Sequence, residues 1–187
     1  AVFRGLARLY GPRVSEDELA RRAVRLGADV PFFLVGGLAI GRGRGERLEP
    51  LEDLRRWHVV LARAGSGLGT AEVFARARSS LTPRSQTPSI QRFTSYMWGG
   101  QPGSPPLRNE LAGPACELDP GIARLLEDLE GIGAAAGMTG SGSAVFGLFA
   151  GAGEAAAAGS RIASRHPGAW VAVTRTIGRR EAGGTVG

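Results

Sequence analysis

The sequence predicts an α+β fold with helices on one face of an antiparallel sheet. Three observations carry that expectation: a branched, alternating run from Trp57 to Ala62, an amphipathic segment from Asp119 to Leu129, and two apolar runs within Ala134 to Phe149 parted by Gly140-Ser141-Gly142. From Trp57 onward the expected order is strand, helices, strands, helix, strand, which packs as layers around one core.

Residues 1–10 place Val2, Phe3, Leu6, Leu9 and Tyr10 on one helical face. No capping residue precedes them, so the chain is expected to open inside a helix that Gly11-Pro12 ends. Ser15-Glu16-Asp17-Glu18 reads as a capping box for a second helix, with Leu19, Ala23, Val24 and Leu26 as its buried stripe and Gly27 as its stop. Asp29 is placed to cap the next helical turn, with Pro31 near its start and Phe32, Phe33 and Leu34 buried. Leu38-Ala39-Ile40 and Arg47-Leu48 flank Gly41-Arg42-Gly43-Arg44-Gly45 as a hairpin, and Glu52 to Arg56 is a polar link.

Beyond the strand at Trp57, Thr70 is expected to cap a helix through Arg76. Residues 79–106, rich in Ser, Thr, Pro, Gln and Gly, read as irregular apart from a short helix around Ile90 to Met97. Asp119-Pro120 starts the amphipathic helix and Gly131 stops it. Ala134 to Phe149 forms two strands, Gly153 to Arg165 an alanine-rich helix and Trp170 to Ile177 a final strand, with fraying expected over 178–187.

Composition narrows the function classes. With 187 residues, 43% of them hydrophobic, the chain suffices for one domain or two small ones with a packed core. Its net charge of +6 comes from arginine alone, there being no lysine. The arginines are dispersed, which fits solvated side chains better than a nucleic-acid surface. No apolar run reaches the roughly 20 residues a membrane span requires, and no secretory signal pattern is present, so a cytoplasmic location is expected. Cys116 stands alone, excluding a disulfide framework or thiolate zinc cluster, and His58 and His166 lack partners at metal spacing. No metal-ligating set is expected.

Two segments stand out for chemistry. Asp29, in Leu26-Gly27-Ala28-Asp29-Val30-Pro31-Phe32-Phe33-Leu34, reads either as a helix cap or as a partly desolvated carboxylate fixed in direction, the form a general base takes. The loop Gly140-Ser141-Gly142-Ser143 reads either as an ordinary hairpin turn or as a set of backbone N–H groups open to a phosphorylated ligand. Thr70 and Phe74 lie four apart on one helical face, where capping and packing compete with ligand contact. Asn109-Glu110-Leu111 reads as the end of a loop.

Taken together, the segments LGADVPFFLVGGLAIGRGRGERLEPL (26–51), GTAEVF (69–74), SSLTPRSQTPSI, RNEL (108–111) and MTGSGSAVFGLF (138–149) resemble the 4-diphosphocytidyl-2-C-methyl-D-erythritol kinase family of the GHMP kinase superfamily, in the family's order. The resemblance implies a GHMP-kinase-like α+β fold, with residues 1–56 ending an N-terminal domain, 57–178 forming the C-terminal domain and 179–187 a flexible tail. It implies ATP- and Mg2+-dependent phosphorylation of the substrate's 2-hydroxyl in non-mevalonate isoprenoid biosynthesis. Asp29 would then be the catalytic aspartate, Thr70 and Phe74 would contact the cytidyl side, and Gly140, Ser141, Gly142 and Ser143 would lie beside the phosphates. The family's lysine and its GGGLGGGSSDAA loop are not in this sequence, Ala64 stands where a proline is frequent, and Ala75 where a basic residue sometimes occurs. The chain therefore resembles a piece beginning after that loop, expected to be inactive by itself and, with the Val2, Phe3, Leu6, Leu9 face uncovered, prone to aggregate or form a homodimer.

Overall fold

The computed structural model describes Val2, Gly5, Leu9 and residues 15–51, 56–65, 67–78 and 107–183. The chain divides into two compact units, one of Ala1–Leu54 with Ile177–Gly187, the other of Arg55–Thr176. The expected helix around Ile90 to Met97 lies outside the described residues.

In the first unit, helix α1 (Glu16–Leu26) begins at Ser15, whose side chain accepts from the Glu18 N–H at 3.3 Å. Only half of the expected capping box forms. The Glu18 carboxylate turns along the helix to Arg21 and Arg22, at 2.6 and 2.8 Å, because two guanidinium groups one turn away outbid a single backbone donor. Ala23 is fully buried, whereas Leu26, expected in the same stripe, is 70% exposed. It is the last helical residue, past the packed turn, where the chain leaves at Gly27.

Helix α2 (Phe32–Val35) is a single turn. Pro31 is the buried residue at its start, while Phe33, expected in the core, is 60% exposed and meets Phe32 edge to face at 5.9 Å. A four-residue helix has one inward side, and three consecutive apolar residues cannot all occupy it. Strands β1 (Ala39–Arg42) and β2 (Arg47–Pro50) pair antiparallel as the expected hairpin, from Ala39 opposite Pro50 to Arg42 opposite Arg47. The turn is shorter than expected, since the Glu46 carboxylate accepts from the Arg44 N–H at 2.7 Å and closes it after Arg42.

Residues 179–187, expected as a tail, contain helix α7 (Arg179–Gly183). The Arg179 guanidinium donates to the carbonyls of Leu38 and Leu51, at 3.2 and 2.8 Å, so it holds both ends of the hairpin segment. A planar group with five donors can span two carbonyls, and that fixes the turn of chain carrying it.

The second unit is built on a four-stranded antiparallel sheet of β3 (His58–Arg63), β4 (Ala135–Met138), β5 (Ala144–Phe149) and β6 (Trp170–Arg175), in the order β4-β5-β3-β6. Val60 pairs with Gly147 on one side and Val173 on the other, which sets the inner face through Val60, Ala62, Val145 and Met138. Against that face pack α5 (Pro120–Gly131) and α6 (Ala152–Arg165), with α4 (Ala112–Leu118) on α5 and α3 (Thr70–Arg78) on α4, and Val73, Ala115, Ile122, Leu125, Leu129 and Ile162 join one core. This is the helix-on-sheet α+β arrangement that the strand and helix order predicts.

Local chemistry explains each boundary. Asp119 accepts from the Gly121 N–H at 2.8 Å and Pro120 opens α5, as expected. A Cβ on Gly159 would lie 2.5 Å from Val173 Cγ2, so α6 approaches the sheet more closely than any other residue would permit. Among the described residues no helix is long and apolar enough to cross a membrane.

The C-terminal ends of α5 and α6 are joined through Asp128. Its carboxylate meets His166 Nε2 at 2.8 Å and also accepts from Arg165. The hydrogen bond to His166, and next the charge of Arg165, hold the Asp128 carboxyl below its ordinary value of 3.8. A depressed folded-state value stabilises the fold above the unfolded value and loses that contribution as pH falls through the folded one. Asp128→Asn is therefore expected to lower Tm near pH 7, and the difference is expected to shrink as pH falls below the ordinary carboxyl value of 3.8, as thermal melts across pH will read.

A glycine-serine loop and its supports

The loop Thr139–Ser143 joins β4 to β5 in the second unit. It uses few of its own backbone donors. The Thr139 N–H binds the Ala144 carbonyl at 3.0 Å and the Gly142 N–H binds the Thr139 carbonyl at 2.9 Å. The N–H groups of Gly140, Ser141 and Ser143 have no acceptor among the described residues. Gly140 and Gly142 adopt φ of +53° and +87°, left-handed values that non-glycine residues rarely take. A Cβ on Gly142 would lie 2.9 Å from Met138 Sδ and 3.6 Å from Ile122 Cδ1, whereas one on Gly140 would meet nothing within 4 Å. The loop thus rests on the core at Gly142 and is open at Gly140.

Ser143 is 3% exposed, and its hydroxyl has no partner among the described residues. A buried hydroxyl left unpaired costs about 1–3 kcal/mol. The loop thus carries three N–H groups and one hydroxyl without a partner among the described residues.

Two other segments hold the loop. Asn109 Nδ2 donates to the carbonyls of Met138 and Gly140, at 2.9 and 2.7 Å, and Asn109 Oδ1 accepts from the Leu111 N–H at 2.9 Å. Thr70 Oγ1 and Ser141 Oγ lie 3.0 Å apart in a hydrogen bond. The expected cap at Thr70 is not made by its side chain, because Thr70 is already the first helical residue and the Gly69 carbonyl receives the Glu72 and Val73 N–H groups. The threonine hydroxyl is thereby released to the loop.

Phe74, one turn on, is 49% exposed, while Val73 and Ala77 fill the buried stripe of α3. Phe74 thus lies half-buried, outside the stripe of α3 that faces the core. Asp29 belongs to the first unit, where its backbone carbonyl accepts from the Phe32 N–H at 3.2 Å. Its carboxylate caps no helix among the described residues, and it is exposed rather than partly desolvated as expected. The reason is local: Pro31, two residues on, points inward and leaves Asp29 at the tip of the turn. Among the described residues, no group of His, Cys, Asp and Glu could hold a metal ion.

Thr70, Ser141 and the loop glycines are thus brought together, and Asn109, read from its residues as a loop end and through RNEL as part of the family resemblance but given no role, joins them. Nothing in local composition announces a side chain that bonds residues 29 and 31 positions away.

This α+β fold, with its glycine-serine loop between two core strands, is that of the GHMP kinases. Residues 107–168 match the family model described as GHMP kinases C terminal, and most of the chain is similar to enzymes of this superfamily. It is 37% identical to the 4-diphosphocytidyl-2-C-methyl-D-erythritol kinase of Rhizobium etli (strain CIAT 652) over 95% of the chain and 59% of that protein. Against the enzyme of the same name from Paracoccus denitrificans (strain Pd 1222) it is 42% identical, over 84% of the chain and 58% of that protein. A crystal structure of 4-(cytidine 5'-diphospho)-2C-methyl-D-erythritol kinase superposes with a TM-score of 0.74 at 34% identity, covering 95% of this chain and 63% of that one. The chain spans less than two thirds of the length of these relatives.

Proposed function

We propose that the whole protein transfers a phosphoryl group from ATP to the 2-hydroxyl of 4-diphosphocytidyl-2-C-methyl-D-erythritol, a step in isoprenoid precursor biosynthesis, in the cytoplasm. One observation carries the reading in this chain: the loop between two core strands holds three N–H groups and a buried Ser143 hydroxyl that have no partner among the described residues. Phosphoryl transfer is governed by positioning and charge stabilisation, which such a cradle supplies. Gly140, Ser141, Gly142 and Ser143 would lie along the phosphates, and Mg2+ would arrive on phosphate oxygens, its usual way of binding in kinases. Asp29 would accept the proton of the attacking hydroxyl, a role for which an exposed carboxylate is accessible.

Thr70 and Phe74 would receive the cytidyl part. A half-exposed ring one turn from the loop's Thr70–Ser141 contact is suited to stack on a base. Phe74→Ala is expected to weaken CDP binding by about 1–3 kcal/mol in calorimetric titration, with little loss of Tm because the ring is outside the core. Equal CDP affinity would remove Phe74 from the site. Val2 and Leu9, 75% and 77% exposed, support self-association of the chain by itself.

The decisive experiment is a coupled ADP-release assay of the whole protein with ATP, Mg2+ and each of three alcohols: 4-diphosphocytidyl-2-C-methyl-D-erythritol, mevalonate and homoserine. Turnover with the first alone is expected. Turnover with either of the others in its place would overturn the substrate assignment.

A further inference from the structure

We propose that Asn109 is a positioning residue that aims the loop's backbone donors. The proposal rests on reading Gly140–Ser143 as a phosphate cradle. A trans peptide unit is planar, with its C=O and the next residue's N–H on opposite sides, so fixing one carbonyl fixes the following donor. By holding the Gly140 carbonyl at 2.7 Å, Asn109 turns the open Ser141 N–H away from itself. By holding the Met138 carbonyl at 2.9 Å, it orients the Thr139 N–H toward the Ala144 carbonyl, which closes the base of the loop. Both carbonyl oxygens are drawn to one side, so neither is turned toward an anion held by the N–H groups.

The chemistry requires an amide at this position. One NH2 group supplies two hydrogens, one for each carbonyl, and Oδ1 is engaged by the Leu111 N–H at 2.9 Å. Flipping the amide would set its oxygen against two carbonyl oxygens and its nitrogen against a donor, so the orientation is determined. Aspartate has the same shape, but when ionised it donates nothing and places a charge beside the two carbonyls. Protonated aspartic acid regains one donor.

The test compares the 187-residue chain with Asn109→Asp and Asn109→Ser. Amide exchange of residues 138–144, corrected for the intrinsic rate at each pH, reports loop order, and residues 122–129 of α5 serve as the reference. Inorganic pyrophosphate, titrated near pH 7, is the ligand probe. At that pH both variants are expected to exchange the hydrogen-bonded Thr139 and Gly142 amides about 10-fold faster or more, with the reference unchanged, and to bind pyrophosphate about 10-fold more weakly or worse. Lowering pH through the carboxyl range, near 4, should restore part of the loop protection in the aspartate variant and none in the serine variant. That pH rescue is a signature a generic structural role would not produce.

Unchanged loop exchange in both variants would overturn the proposal. So would loss of protection in α5 as well as the loop, since Asn109 would then support the fold at large. If the parent chain fails to bind pyrophosphate while the variants still lose loop protection, the phosphate reading falls and the positioning role stands.

Discussion

Asp29→Asn in the whole protein is expected to lower kcat at least about 100-fold while leaving substrate KM within a few-fold. The substitution keeps the shape of a short side chain at the tip of an exposed turn and removes its ability to accept a proton. Because the Asp29 carboxylate caps no helix among the described residues, replacing it should cost little stability. A large loss of kcat with an unchanged Tm would therefore report chemistry. An unchanged kcat would remove Asp29 from the reaction, and a loss of Tm comparable to the loss of activity would return it to the role of a turn residue.

The second large effect is structural. Ile122→Ala is expected to cost about 2–5 kcal/mol in denaturant unfolding of the second unit, because Ile122 is fully buried at the centre of the core. The same side chain lies beneath the loop, 3.6 Å from where a Cβ on Gly142 would stand. The cavity left by alanine would open directly under the loop, so, if the proposed phosphate role holds there, pyrophosphate affinity falls along with stability. Leu125→Ala, equally buried, removes core volume without that proximity, and its effect on binding should be smaller. Loss of stability without loss of affinity in Ile122→Ala would show that the floor of the loop is not set by Ile122.

Much of the fold was legible because its elements announce themselves locally. Asp119-Pro120 marked the start of α5, alternation marked β3, and glycine-serine between apolar runs marked the turn between β4 and β5. What failed depended on geometry that one-dimensional patterns do not contain. Leu26 and Phe33 are apolar and fall within helical segments, yet both face solvent, because a helix end and a single-turn helix bury less than the pattern allows. Thr70 looked like a cap and instead bonds Ser141, 71 residues later in the chain. The open backbone of the loop was partly legible, since Gly140 and Gly142 suggested it. Its support by Asn109 was not, because an amide that bonds two carbonyls in another element leaves no periodic or compositional trace.

The hydrogen bonds from Arg179 to the carbonyls of Leu38 and Leu51 bear on the order in which the protein can assemble. They close the first unit across separations of 141 and 128 residues, and the whole second unit, Arg55–Thr176, lies between. A chain emerging from the ribosome therefore presents every residue of the second unit before the first receives its last helix. The Gly140–Ser143 loop, with Thr70 and Asn109 beside it, can be in place while the segment carrying Asp29 still waits for its closing arginine. Synthesis delivers the cradle early, and the unit bearing the carboxylate is completed only after translation has passed Arg179.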